Sequence, residues 1–253
     1  MSAADWAGKV VIITGAASGM GRAHAIHFAG LGCRVVAQDI APSGLAETVA
    51  RVEARGGGID GHVFDIAEVA AIRTMVDRTL ERHGRIDVLV NNAGIGIDRS
   101  IEEIDEAAFE RMLGVHVKGS YFCTQAVVPG MKTRRSGSIV NVSSRWAQAG
   151  HHLASDYVAA KSAILGLTKA WAKELAPFGI RVNAIAPGGV WSQMVLDTLG
   201  EEEVRRQERE VPLGRWAQPE ELSPLVAFLA GEEAAFITGQ VVGPNGGKTM
   251  VGI

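Results

Sequence analysis

The chain has 253 residues, of which 47% are hydrophobic and 21% are charged, and its formal net charge is −3. This composition is ordinary for a globular enzyme, and the lack of a long basic run argues against a nucleic-acid partner. No run of 18 apolar residues occurs, so no membrane partner is predicted.

Short apolar runs alternate with longer stretches of helical periodicity. The apolar runs predict seven strands: one ending near Thr14, one ending at Asp39, and five at 61–65, 87–94, 137–144, 180–188 and 239–244. The helical stretches are 19–30, 44–55, 67–83, 106–133, 156–177 and 219–230. Because the strands are continuously apolar, we expect a parallel sheet that is buried on both faces. The sequence therefore predicts a single α/β domain over 1–253, a doubly wound Rossmann-type fold with a seven-stranded parallel sheet flanked by helices on both faces.

A glycine-rich turn, TGAASGMG at 14–21, joins the first strand to the first helix. Its glycines allow a sharp turn and a close approach to a diphosphate, which the amides and dipole of the helix N-terminus attract. The glycine spacing differs from G-x-G-x-x-G, and a tight turn that binds nothing could also use glycine. Asp39, 18 residues after Gly21, favours dinucleotide binding because an acidic residue at about this distance binds the adenosine ribose.

Asp39 also indicates which dinucleotide binds. Its carboxylate would accept hydrogen bonds from the two ribose hydroxyls and would repel a 2′-phosphate. Ser18 and Ile40 offer no compensating cation, and we expect Arg22 to pack on the first helical turn. The sequence therefore predicts NAD rather than NADP as the cofactor.

Tyr157 and Lys161 lie four residues apart at the start of a predicted helix, and therefore on one face. A tyrosine with a pKa near 10 is too weak a base at neutrality, and a neighbouring ammonium favours the phenolate. Such pairs also occur by chance on amphipathic helices. Ser144 favours chemistry because it ends a predicted parallel strand, where ligands bind. Its hydroxyl could hold the substrate oxygen while Tyr157 exchanges a proton.

Several motifs occur in an ordered series: TGAASGMG at 14–21, NNAG at 91–94, Ser144, Tyr157-x-x-x-Lys161 and PGGVWS at 187–192. Together they resemble the short-chain dehydrogenase/reductase superfamily over nearly the whole chain. The resemblance implies reversible oxidation of a secondary alcohol to a ketone by NAD. It assigns Tyr157 as the general acid/base, Lys161 as the group that lowers its pKa, and Ser144 as the group that orients the reacting oxygen. It also implies a homotetramer formed around 106–133 and 156–177.

The same resemblance implies cofactor contacts along the chain. They are Gly15, Ser18, Gly19, Met20, Gly21, Asp39, Asp65, Ile66, Asn91, Ala93, Gly94, Tyr157, Lys161, Pro187, Gly188, Val190 and Ser192. Asp65 and Ile66 would contact adenine, and Asn91 would support the sheet near the adenosine ribose. The last four would line the nicotinamide.

The helix around 113–125 departs from the family, which usually has N-V-K-G where this chain has His116-Val-Lys-Gly. The family's asparagine holds a water that links the lysine to solvent. A neutral imidazole also offers one donor and one acceptor, and it could relay the proton near neutral pH. Alternatively, backbone groups hold the water and His116 only packs, or the chain is an impaired NAD-binding regulator or structural subunit. The intact Ser144, Tyr157 and Lys161 favour an enzyme.

Three segments that vary within the family, 95–99, 145–155 and 189–212, would shape the substrate pocket. They supply Arg145, Trp146, His151, His152, Trp191 and Met194. The tryptophans suggest apolar or cyclic walls, and Arg145 with the histidines could meet an anionic or thioester-bearing small-molecule substrate. Alternatively, each of these side chains belongs to surface or loop packing. The C-terminal phrases resemble hydroxyacyl-CoA and cyclic-alcohol dehydrogenases and 3-oxoacyl-carrier-protein reductases. Asp39 argues against the last group, which mostly uses NADPH.

The two cysteines, Cys33 and Cys123, lie in apolar segments. They predict buried thiols in a reducing compartment, and no basic, apolar leader precedes the first strand. We therefore expect a cytoplasmic protein. No metal site is expected, because His151 and His152 lack further ligands at a suitable spacing.

Overall fold

One parallel sheet of seven strands organises the fold. The structure is a computed structural model that describes residues 6–96, 98–192, 195–196 and 199–250. The strands are β1 (Val10–Thr14), β2 (Arg34–Asp39), β3 (Gly58–Val63), β4 (Val88–Asn91), β5 (Gly137–Val142), β6 (Ile180–Ile185) and β7 (Val241–Val242). Their order across the sheet is β3-β2-β1-β4-β5-β6-β7, and every pair is parallel. The reversal of strand order beside β1 confirms the predicted doubly wound fold.

Helices cover both faces of this sheet. The α-helices of the described residues are α1 (Gly19–Gly30), α2 (Pro42–Glu53), α3 (Val69–His83), α4 (Glu106–Leu113), α5 (Gly119–Arg134), α6 (Trp146–Ala149), α7 (Ser155–Leu175), α8 (Glu201–Glu208) and α9 (Pro219–Ala230). Alternate β1 side chains serve two cores: Val11 and Ile13 pack in one core with Phe28, whereas Ile12 packs in the other with Met131. Among the described helices, none has the length and apolar character needed to cross a membrane.

The structure differs from the predicted elements at several places; among them, α6 was not predicted because four residues are too few to show a helical period. β3 begins at Gly58 instead of residue 61. Its start is set by pairing with Arg34 of β2, and this strand at the sheet edge has too few apolar residues to show its start in the sequence. The helix predicted over 106–133 contains a π-helical turn, Gly114–Lys118, which separates α4 from α5. α8 was not predicted because Val204 is its only buried side chain and gives no apolar periodicity.

A chain of buried side-chain hydrogen bonds joins the strands that carry the site. Asn91 of β4 donates from Nδ2 to Asn141 Oδ1 of β5 over 2.9 Å. Asn141 in turn donates from Nδ2 to Thr168 Oγ1 of α7, also over 2.9 Å. Asn91 and Asn141 are register partners, so the amides lie directly beside each other. This chain holds β4, β5 and α7 together through polar contacts inside an otherwise apolar core.

Candidate active site

A deep cleft of about 480 Å³ lies at the carboxyl ends of the central strands. It extends from Asp39, at the end of β2, to Tyr157 on α7. The predicted site residues that line it are Gly15, Ser18, Gly19, Met20, Gly21, Asp39, Gly94, His116, Ser144, Tyr157, Lys161, Pro187, Gly188, Val190 and Ser192. The fold therefore brings most of the predicted cofactor contacts and the predicted proton-transfer groups into one space.

The glycine-rich turn leaves no room for side chains where the backbone is tightest. A Cβ on Gly15 would lie 2.7 Å from Ala93 Cα, and one on Gly21 would lie 2.0 Å from the Gly15 carbonyl oxygen. Gly15 also has a φ of +69°. α1 begins here, the Ser18 side chain does not cap it, and its first turn has no acidic residue. The free amides and the open backbone fit a bound diphosphate.

The carboxylate of Asp39 is held at the end of the cleft that β2 forms. Its Oδ2 accepts a hydrogen bond from the Ala17 amide over 2.8 Å, and its Oδ1 accepts one from the Ala41 amide over 2.9 Å. Arg22 is engaged elsewhere, with Thr48 Oγ1 at 3.0 Å and Glu47 Oε2 at 2.9 Å. The guanidinium thus joins the glycine-rich turn to α2 through Ala17, Thr48 and Glu47, instead of packing on the first turn of α1 as predicted. This arrangement fits a ribose with free hydroxyls.

Four predicted cofactor contacts lie outside the cleft lining: Asp65, Ile66, Asn91 and Ala93. Asp65 accepts from the Ala67 amide over 2.9 Å and pairs with Arg111 Nη1 at 2.5 Å. Burial acts to raise the pKa of Asp65, but these two partners lower it below its usual value. Ile66 packs in the core, Asn91 belongs to the buried amide chain, and the Ala93 amide donates to Thr14 Oγ1 over 3.0 Å.

The sequence reasoning missed Asn92 and Trp216, which also line the cleft. Asn92 donates from Nδ2 to the carbonyl oxygens of Thr14 and Gly15 over 2.9 and 3.1 Å, so it joins the glycine-rich turn to the end of β4. Trp216 occupies the space where Gly189 would carry a Cβ, 2.2 Å from its ring. Both residues were indicated by motifs in the sequence. Asn92 belongs to NNAG, and Gly189, whose missing side chain leaves space for Trp216, belongs to PGG.

Ser144, Tyr157 and Lys161 meet at the other end of the cleft. Both Ser144 and Tyr157 line the cleft; burial raises the pKa of Tyr157, and the Ser144 side chain, as a hydrogen-bonding neighbour, opposes the rise. Lys161 Nζ lies 5.7 Å from the Tyr157 ring centroid and donates to the Val142 carbonyl over 2.8 Å. Burial lowers the pKa of Lys161 to about 7. Lys161 is not among the groups that shift the pKa of Tyr157 in this structure, so its effect on the tyrosine stays a prediction.

His116 lies on the π-helical turn, in the position that the family's asparagine would occupy. Its Nε2 is 2.8 Å from the Ile95 carbonyl oxygen and 3.1 Å from the Ile95 amide nitrogen. The ring meets the Tyr157 ring edge-on, with centroids 5.4 Å apart. Burial, and then the charge of Lys161, hold the pKa of His116 well below its usual value of 6.5. The imidazole is therefore neutral at physiological pH.

Gly94 has no side chain because His116 fills that space. A Cβ at Gly94 would lie 2.6 Å from His116 Cε1. We expect Gly94→Ala to lower the free energy of unfolding by about 1–3 kcal/mol through overpacking, measured by denaturant unfolding. Gly96→Ala is the matched control, because nothing lies within 4 Å of a Cβ there. Adding His116→Asn should restore part of the loss, and an undiminished loss in that background would contradict the proposed clash.

Aromatic and charged side chains form the wall next to Tyr157. Arg145, Trp146 and His151 line the cleft as predicted. His151 stacks on Trp146 with ring centroids 3.8 Å apart, and its Nε2 lies 3.8 Å from Asp98 Oδ2. Within the described ranges, no three His, Cys, Asp or Glu side chains are grouped to hold a metal ion.

Two predicted pocket residues do not line the cleft. Trp191 donates from Nε1 to Glu208 over 3.0 Å and packs with the apolar cluster of Val204. His152 is exposed, and its ring contacts that of His151. Both predictions were wrong, because these side chains have partners outside the cleft. Met194 lies outside the described residues.

Comparisons with known proteins agree on one family. The family model described as "Enoyl-(Acyl carrier protein) reductase" matches residues 15–249. The chain is 42% identical to the 3-oxoacyl-[acyl-carrier-protein] reductase FabG of Thermotoga maritima over 243 residues, covering 96% of this chain and 98% of the relative. It is 38% identical over 242 residues to the (2S)-[(R)-hydroxy(phenyl)methyl]succinyl-CoA dehydrogenase subunit BbsD of Thauera aromatica, covering 96% and 97% of the two chains.

A solved structure agrees with these relatives. The crystal structure of levodione reductase matches with a TM-score of 0.92 and 32% identity, over 96% of this chain and 98% of that one. The matches in sequence and structure extend over nearly the full length of both partners. The chain therefore belongs to the short-chain dehydrogenase/reductase superfamily and is an oxidoreductase of that type.

Proposed function

We propose that this oxidoreductase reversibly oxidises a secondary alcohol to a ketone with NAD. The observation that carries the proposal is that Ser144, Tyr157 and Lys161 line one end of a cleft whose other end holds Asp39. Ser144 and Tyr157 place proton donors and acceptors together, and Asp39 provides a carboxylate suited to a ribose. A cleft with both features suits proton exchange next to a dinucleotide.

The chain's own groups would perform three tasks. Ser144 holds the substrate oxygen by a hydrogen bond, and Tyr157 takes the hydroxyl proton in oxidation and returns it in reduction. Lys161, whose pKa of about 7 lies near neutrality, can exchange a proton close to Tyr157 and binds the nicotinamide ribose. When bound, NAD⁺ supplies the hydride acceptor, and its positive ring favours the tyrosine phenolate.

The cofactor would be held along the whole cleft. We assign the diphosphate to the glycine-rich turn, the adenosine ribose to Asp39, and the nicotinamide to the lining residues between Pro187 and Ser192. Preference for NAD over NADP is supported by the Asp39 carboxylate and by the engagement of Arg22 with Thr48 and Glu47. A 2′-phosphate would meet a negative charge with no free cation from Arg22 to offset it.

The test of this function measures the reduced cofactor, NADH or NADPH, by its absorbance. NAD⁺ or NADP⁺ is mixed with a series of secondary alcohols that includes cyclic and CoA-linked ones. We expect turnover with NAD⁺. Tight NAD⁺ binding without turnover of any alcohol would overturn the proposal and favour a dinucleotide-binding regulator or structural subunit.

We propose that His116 holds the backbone at Ile95 and does not itself carry the proton. Two observations support this role: Nε2 lies within hydrogen-bond distance of both Ile95 backbone groups, and the imidazole pKa is well below 6.5. In a neutral imidazole, Nε2 either donates to the carbonyl or accepts from the amide, and an asparagine amide can supply either role.

We therefore expect His116→Asn to keep the pH profile of kcat between mildly acidic and alkaline pH. The change in kcat should stay well under the roughly 10²-fold cost of losing a proton-transfer group. His152→Asn, at an exposed histidine, is the matched control. A profile that loses or shifts one limb only in the His116 variant would instead make the imidazole part of the proton path.

We also propose a cytoplasmic homotetramer. The buried and unpaired thiols of Cys33 and Cys123 support a reducing compartment. Phe109 of α4 and Tyr121 of α5 are large side chains that are 42% exposed, which supports a subunit contact on this face. Light scattering gives the number of subunits, and a monomer would contradict the assembly.

A further inference from the structure

Arg145 is a half-buried cation that lines the cleft without a charged partner. In the part of the chain that the structure describes, its guanidinium makes no hydrogen bond or ion pair; its contact is with the Trp146 ring, 5.6 Å from the guanidinium carbon to the centroid. Arg181 is a useful contrast, because its buried guanidinium donates to the carbonyl oxygens of Leu229, Ala230 and Gly231. Burying a guanidinium without acceptors costs free energy, so its unused donors at a cleft indicate a ligand.

Trp146 adjoins both this cation and the proton-transfer group. Its ring centroid is 5.8 Å from that of Tyr157 and 5.6 Å from the Arg145 guanidinium carbon. His151 stacks on one face of the indole, so the rest of the ring is the apolar surface next to both groups. A ligand that reaches both groups would pass this aromatic pair.

The other charges near Arg145 leave it available. The Asp98 carboxylate also lines the cleft, but it lies 3.8 Å from His151 Nε2. Glu210 contributes a charge near Arg145, yet its carboxylate is paired with Lys248 and with Arg206. Neither carboxylate lies within ion-pair distance of Arg145, so its charge remains for an anion in the cleft.

We propose that the substrate is a hydroxy acid, or the matching keto acid, whose carboxylate binds Arg145 while its apolar middle lies on Trp146 and its alcohol oxygen meets Ser144 and Tyr157. The planar guanidinium can bind a carboxylate through two parallel hydrogen bonds. The proposal rests on the function proposed above and deepens it by naming the substrate class. A phosphate of a thioester carrier offers the same anionic chemistry, and the experiment separates the two sources.

The experiment compares NADH-dependent reduction of 4-oxocyclohexanecarboxylate with that of its uncharged amide. We expect the wild type to prefer the carboxylate. Arg145→Leu should raise KM for the carboxylate by about 10- to 100-fold, the loss of one charged hydrogen-bonded pair, with little change in kcat or in KM for the amide. Arg145→Lys keeps the charge without the planar fork, and its KM should fall between those of the wild type and the leucine variant. Arg209→Leu, at an exposed arginine outside the cleft, is the control.

Several results would overturn the proposal. One is that the wild type has equal KM values for the carboxylate and the amide, and another is that Arg145→Leu affects both ketones equally. A third is an effect of Arg145→Leu that is confined to a CoA thioester, which would assign Arg145 to a carrier phosphate. Turnover of the amide that survives in every variant supports the oxidoreductase function whatever happens to the carboxylate. Absence of turnover with both ketones and with the alcohol series would instead overturn the proposed function, so the two failures are distinguishable.

Discussion

Tyr157→Phe is expected to lower the rate of alcohol oxidation by about 10²–10⁴-fold, the usual contribution of a positioned proton-transfer group. The substitution removes only the phenolic hydroxyl and keeps the ring that packs edge-on against His116 and Trp146. The cleft should therefore keep its shape, and NADH binding, measured by fluorescence titration, should be unchanged. NADH absorbance gives the rate.

The chain offers a matched control for this variant. Tyr121 is the other of its two tyrosines. It is 42% exposed and contacts Phe122 and Trp171, away from the cleft. Tyr121→Phe should leave the rate unchanged. A Tyr157→Phe variant that turns over alcohol like the wild type would show that another group moves the proton.

Asp39→Asn is expected to change the preference between the two dinucleotides. The variant loses a charged acceptor for the ribose hydroxyls, which is worth about 1.5–3 kcal/mol, and also loses the repulsion of a 2′-phosphate. We expect kcat/KM with NAD⁺ to fall by about 10- to 100-fold while kcat/KM with NADP⁺ stays level or rises. Parallel assays with both cofactors measure this ratio.

The ratio of kcat/KM with NAD⁺ to kcat/KM with NADP⁺ is measured because Asp39 also accepts hydrogen bonds from Ala17 and Ala41. Loosening of that loop would weaken the binding of both cofactors alike and would leave this ratio unchanged. Asp77→Asn is the control, since that carboxylate is exposed on α3 and lies outside the cleft lining. It should leave the ratio unchanged. An unchanged ratio in the Asp39 variant would remove the argument for NAD.

The sequence predicts the fold well where burial alone decides the structure. β1 is a continuous apolar run up to Thr14, β5 has an apolar centre at Ile139 and Val140, and helices such as α1 and α9 have the predicted bounds. Elements whose form depends on neighbours were harder to predict. β3 takes its start from pairing with β2, and the π-helical turn at Gly114–Lys118 leaves no apolar pattern by which to recognise it.

The candidate site divides in the same way. Motif spacing was enough to bring Ser144, Tyr157 and Lys161 to one end of a cleft, because each lies at a strand end or on one helix face. The electrostatics could not be predicted, because the burial that lowers the pKa of Lys161 to about 7 comes from the packed tertiary structure. Likewise, no pattern in the sequence distinguishes Trp146, at the cleft, from Trp191, which binds Glu208.

The buried amide chain through Asn91, Asn141 and Thr168 also bears on how the sheet folds. Parallel strands as apolar as β4 and β5 could slide past each other by two residues and still bury similar side chains on each face. Such a slip would separate the two register-paired amides and leave donors and acceptors unsatisfied in the core, at about 1–3 kcal/mol for each group. The polar chain thus destabilises misaligned sheets more than it stabilises the native one. It widens the energy gap between the native alignment of the strands and the misaligned ones. A single alignment in turn fixes the placement of every group at the strand ends.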